Sequence, residues 1–193
     1  MSTRRTATAG ATALLLLASC STGPSQEIRV GNAERSYRYT VTLADQLVAH
    51  TRETFPDLTF DLNKQAGADD WAACTDENYV NGGQPEEYLW RASRYLTIRP
   101  ADPPGTVQLI EPIAQAYLDA GWTVRRDNRD QATSPSLSLL KNGVSIRFTA
   151  RSLDAPPDET NTLYIHVYGP CLDSPNDLGE FDRNDPDAYF DAH

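Results

Sequence analysis

The dipeptide Asn142-Gly143, set between two alternating apolar runs, restricts the fold more than any other local feature of the chain. A two-residue type I′ turn needs positive φ at both central positions, which Asn-Gly adopts readily. A turn of that length leaves one register, with Lys141 opposite Val144, Leu139 opposite Ile146 and Leu137 opposite Phe148. One side of this hairpin is an apolar ladder that has to be covered. The other carries Arg147, Thr149 and Arg151.

Period-two patterns predict further strands. Tyr88 to Ile98 places Tyr88, Trp90, Ala92, Leu96 and Ile98 on one face, a face that Arg94 interrupts. Trp122 to Arg126 and Leu163 to Gly169 read the same way, and short strands are allowed at Leu58 to Leu62 and Trp71 to Cys74. A helix is expected from about Thr42, as cap, to Phe55, with an extension back toward Glu34 left open. A second follows Pro103-Pro104-Gly105 and runs to Ala120, its stripe formed by Val107, Ile110, Ala114, Tyr117 and Leu118. Pro112 requires that helix either to begin near Glu111 or to kink. The expected fold is α+β and two-layered: a mostly antiparallel sheet of four to five strands with two helices packed on one face.

The first 19 residues stand apart. Arg4 and Arg5 precede a small apolar run that ends in Leu17-Ala18-Ser19-Cys20, with no acidic residue before Cys20. The run is too short to span a bilayer and is similar to a bacterial lipoprotein signal peptide with its lipobox. That resemblance implies cleavage before Cys20, a diacylglycerol on its thiol and an added palmitate-class chain, hence a lipid anchor on the extracytoplasmic face of the cell membrane. Residues 20–33 are then expected to be the lipidated terminus and a flexible tether, residues 34–172 a single domain, and residues 173–193 a loose acidic tail rich in Asp, Pro and Asn.

Removing residues 1–19 deletes two arginines and no acids, taking the net charge from −10 to −12. A balance this acidic argues against nucleic acid or anionic lipid headgroups as partners. The cationic residues are almost all Arg, a bias that fits a GC-rich, actinobacterial coding sequence. With Cys20 committed to lipid, Cys74 and Cys171 remain in an oxidising compartment, and a disulfide between them is expected. Two separate buried thiols are the alternative; a metal pair lacks further ligands at suitable spacing.

Strand parity defines the candidate site. If Leu163, Ile165 and Val167 face the helices, Tyr164, His166 and Tyr168 face away, joined by Arg147, Arg151, Thr123 and Arg125, with Arg91 and Tyr95 as further members. Tyr and Arg on one face suit a protein, glycan or anionic partner; an ordinary solvated sheet face has the same parity. Catalytic signals are weak: the three histidines, His50, His166 and His193, show no metal-helix spacing, and no Gly-x-Ser-x-Gly elbow occurs. Asp182, Asn184, Asp185 and Asp187 lack the turn glycine and closing glutamate of a calcium loop. No cofactor motif and no metal set is found, and the oligomeric state is not legible.

Gly121-Trp122 after a helix, the Asn142-Gly143 hairpin and the run Val167-Tyr168-Gly169-Pro170-Cys171-Leu172, together with Cys20 and the central Cys74, resemble the small actinobacterial lipoproteins of the LppA-like kind over residues 70 to 172. The resemblance implies a surface-exposed α+β lipoprotein of undefined role and transfers no catalytic residue. The leading expectation is therefore a non-catalytic, membrane-anchored binding domain. A cell-envelope hydrolase using His166 and an immunity-type or inhibitory lipoprotein are the alternatives.

Overall fold

The computed structural model describes residues 24–63, 69–74, 86–99, 105–131, 134–150, 162–182 and 184–192. Among these residues the frame is an antiparallel sheet of eight strands rather than the expected four to five. The hairpin of β5 (Ser136–Lys141) and β6 (Val144–Ala150) has the predicted register, with Asn142 at φ 50° and Gly143 at φ 79°. Outward from it lie β4 (Thr123–Asp127) on one side and β7 (Thr162–Tyr168) on the other.

The long strand β3 (Glu87–Arg99) lies beyond β7 and accounts for the extra strands. One edge of β3 takes β1 (Thr59–Leu62) and β2 (Asp69–Ala73) end to end, while the opposite edge takes β7 and then the two-residue β8 (Leu172–Asp173). Cys74 and Cys171 sit one residue outside β2 and β8. Their disulfide joins the two edges of β3, with Cα atoms 6.0 Å apart and a sequence separation of 97. In the chain-entropy view, closing a loop of that size is worth about 4 to 5 kcal/mol.

The helices cover the apolar side. The first, α1, spans Gln26–Thr54, so it starts well before Thr42 and before Glu34, and residues 26–33, expected as tether, are helical. Ser25 caps it, its side chain accepting from the Ile28 amide, and Glu27 lies in the first turn. The early turns were illegible as a core helix because their buried face is Val30, Ala33, Ser36, Tyr37 and Thr40, mostly small or polar. The second helix, α2, spans Thr106–Asp119 and contains Pro112, so it does not begin at Glu111; Leu109, Ile110, Ile113 and Ala114 are its buried set. Both helices pack on the face that presents Leu96, Leu139, Ile146, Phe148, Leu163 and Ile165.

The carboxy-terminal stretch departs most from the sequence expectation. Residues 174–192, anticipated as a loose tail, contribute a 3₁₀ turn at Leu178–Glu180 and a third helix, α3 (Pro186–Ala192). Leu178, Tyr189 and Phe190 are buried in a second core with Tyr37, Tyr88 and Trp90. Phe181 packs on Trp90 with ring centroids 4.6 Å apart. Four aromatic or aliphatic side chains outweigh the local Asp and Pro content, because apolar area removed from water is worth about 25 cal/mol per Å² whatever its neighbours in sequence.

Candidate functional site

Strand pairing sorts the other side of the sheet into cross-strand rows. Arg126, Ser138, Arg147, His166 and Ser93 follow one another across β4, β5, β6, β7 and β3. Beside this row runs Thr123, Leu140, Ser145, Tyr168, Arg91 and Asp70, and on its other flank Ser136, Thr149, Tyr164 and Tyr95. Residues opposite one another are near enough for their side chains to interact. The sequence-predicted Tyr164, His166, Tyr168 and Arg147 are thus brought together, as are Arg91 and Tyr95. Arg151 and Cys20 lie outside the described residues.

One parity assignment needs correction. Counting from Thr123 puts Arg125 on the outward face, but β4 changes register between Val124 and Arg126. Arg126 therefore takes the outward position opposite Ser138, and Arg125 is the extra residue of the irregularity. Both arginines reach the same concavity. A bulge leaves no reliable mark in a single sequence, so strand alternation alone does not point to Arg126.

The aromatic side chains form a continuous strip. Tyr164 and His166 have parallel rings with centroids 6.5 Å apart, Tyr168 follows at 6.1 Å from His166, and Tyr95 meets Tyr164 edge-on at 4.9 Å. Each of these side chains is partly buried. His166 Nδ1 is 2.9 Å from Ser93 Oγ, and Ser93 is only 4 % exposed. Burial, with the charges of Arg91 and Arg147 adding to it, pushes the imidazole down to about 4. The ring is thus neutral at pH 7.

A serine against a histidine has the contact that nucleophilic catalysis requires, but a base so weakly proton-affine is poorly matched to work near neutrality. The third group that would orient the ring is also missing: among the described residues no carboxylate is hydrogen-bonded to His166.

A concavity of about 400 Å³ opens at one end of the strip, lined by Arg125, Arg126, Arg147 and Tyr168, by Ser136, Ser138 and Ser145, and by the Cys74–Cys171 bridge. The disulfide as a wall of this hollow had no sequence signal, since it depends on β2 and β8 meeting the same strand. A second hollow between α2 and β4 is lined by Glu111, Asp127, Arg129 and Asp130. There Arg129 is already engaged by Asp127 and Glu111, so the charges satisfy one another. Among the described residues no group of three or more His, Cys, Asp or Glu could hold a metal ion.

No family model matches the chain, and no curated protein matches it. A solved structure similar to it is that of a candidate lipoprotein, LppA from Mycobacterium tuberculosis, over 82 % of this chain and 88 % of that one. The identity is 10 % and the TM-score 0.43, so no residue role is taken from it.

Proposed function

We propose that the chain is a lipoprotein held at the extracytoplasmic side of the cell membrane through acylated Cys20, and that its folded domain is a non-catalytic binding module for a cell-envelope protein or glycan. The observation that carries this reading is the strip Tyr95, Tyr164, His166 and Tyr168, a run of contacting rings on the sheet face opposite the helices. Rings held by their neighbours lose little conformational freedom on binding, which is why aromatic anchors dominate interface energies.

Anchorage supports the reading from the sequence side: the lipobox precedes the domain, and among the described residues no helix is long and apolar enough to cross a membrane. Because α1 begins at Gln26, at most about six residues separate Cys20 from the rigid body, a reach of roughly 20 Å when extended. A short leash of this kind keeps the binding face among molecules close to the membrane surface.

Two measurements test it. Mass spectrometry of the mature protein should find acyl chains on Cys20, and Cys20→Ser should leave the protein uncleaved at that site and without them. Binding of the protein to isolated cell envelopes should weaken at least about tenfold in Tyr95→Ala/Tyr164→Ala. Thr149→Arg, which blocks the face from the row opposite Tyr164 without touching the core, should do the same. Unchanged envelope binding in both folded variants would overturn the binding face.

A further inference from the structure

Among the described residues, four arginines at this sheet face have no carboxylate partner, in a chain of net charge −10. They are Arg91 on β3, Arg125 and Arg126 at the irregularity of β4, and Arg147 on β6. Every other described arginine is held by a carboxylate, an amide or a backbone carbonyl, as Arg99 is by Asp61 and Arg129 by Asp127 and Glu111. With the Asn128 amide turned to suit its neighbours, its oxygen accepts from Arg126 Nε at 3.0 Å. Arg91 Nε is buried with no hydrogen-bond partner. A buried donor left unpaired is uncommon and asks for an explanation.

Like charges gathered on one face repel, and an acidic protein has carboxylates to spare for neutralising them. No described carboxylate is used for this here. Arg125, Arg126 and Arg147 instead share the 400 Å³ concavity beside the disulfide, where Ser136 and Ser145, both more than nine-tenths buried, form part of the wall. We propose that this concavity is a phosphate-binding site, in which Arg125, Arg126 and Arg147 hold the phosphate group of a ligand whose remainder lies along Tyr168 and His166. A phosphate fits better than a carboxylate: it offers three acceptor oxygens and close to two negative charges to three guanidinium forks, while a carboxylate is saturated by one. The volume exceeds that of a phosphate alone, leaving room for the group it is attached to. This deepens the binding reading above and rests on it for the course of the ligand beyond Tyr168.

The phosphate could be presented by a soluble phosphomonoester or by a lipid headgroup, and the test separates them. The full chain in neutral detergent micelles is titrated with glycerol 1-phosphate, or transferred to micelles containing phosphatidic acid, whose headgroup is also a phosphomonoester, at fixed ionic strength because exposed arginines attract any anion at low salt. A saturable rise in thermal midpoint is expected in one arm, and that arm identifies the source. Arg125→Gln/Arg126→Gln should fold at least as stably as the parent without ligand and lose the response; Arg147→Gln should weaken it about tenfold or more. No saturable response in either arm, or an equal response in the variants, overturns the site. Envelope binding measured in parallel keeps the two claims apart: intact envelope binding without phosphate binding rejects the site alone, and phosphate binding without face-dependent envelope binding rejects only the wider reading.

Discussion

The Arg94 guanidinium reaches from β3 to Asp69 on β2, Nη1 to Oδ1 at 2.5 Å and Nη2 to Oδ2 at 3.1 Å, and it does so on the helix-covered side of the sheet. Its Nε also donates to Asp45 of α1 at 2.8 Å. The charge that interrupts the apolar pattern of Tyr88 to Ile98 is thus a three-element tie, with Arg94 itself only 9 % exposed. Removing one partner of a buried pair strands the other, whereas removing the buried charge itself does not. Asp69→Ala should therefore lower the free energy of unfolding by about 3 kcal/mol, and Arg94→Met by less, since Asp69 is nearer solvent and can hydrate. Urea titration of the two variants checks the order; equal losses would contradict it.

The second core makes the last residues structural. Phe181 contacts Trp90, Tyr37 and Tyr189, and the Tyr189 hydroxyl donates to Asp177 at 3.0 Å. Phe190→Ala should cost about 3 kcal/mol, as other buried Phe truncations do. Ending the chain at Asp182 should cost more and expose Trp90, seen as a red shift of its emission. A truncated chain as stable as the full one would show that α3 is dispensable.

Legibility followed the strength of local periodicity. The hairpin register, the inward face of β3 and the outward parity of β7 were readable because each rests on alternating large apolar and polar side chains. The early turns of α1 were not, because Ala33, Ser36 and Thr40 are buried by contact with a sheet and a carboxy-terminal segment that local pattern cannot locate. The same holds for Phe181, Tyr189 and Phe190, three rings diluted by Asp and Pro. At the site, Tyr164, His166, Tyr168 and Arg147 followed from parity, but Arg126 depended on a bulge, and Ser93 meets His166 only through a pairing 73 residues apart in sequence.

Histidine 166 should make the fold acid-sensitive in a defined window. It faces Ser93, Tyr95, Tyr164 and Tyr168 and the cations Arg91 and Arg147, none of which stabilises an imidazolium by charge. Its folded value of about 4 lies below the ordinary histidine value of 6.5, so between these pH values the unfolded chain binds more protons. Stability then falls as pH drops through that interval, by an amount on the order of 3 kcal/mol at completion. His166→Gln can keep the contact with Ser93 and cannot titrate. Chemical denaturation at several pH values should show a shallower pH dependence for the variant than for the parent between pH 6.5 and 4; parallel curves would mean that the ring is not desolvated.

Gly169 packs close against α1. Its amide donates to the Trp90 carbonyl at 2.8 Å, and a Cβ placed on it would lie 2.9 Å from Ser36 Oγ and 3.0 Å from Thr40 Oγ1. Those contacts are tighter than packed side chains tolerate, so Gly169→Ala should force α1 outward and cost about 1 to 3 kcal/mol. Ser36 Oγ is buried without a hydrogen-bond partner, so Ser36→Ala should be close to neutral by itself, because it discards a polar atom that the fold leaves unsatisfied. Combining the two should recover about 1 kcal/mol of the glycine penalty, the coupling expected of residues in direct contact. Additive losses in that double-mutant cycle would place the strain at Thr40 instead, whose hydroxyl is committed to the Ser36 carbonyl at 2.7 Å and cannot move aside without giving up that bond.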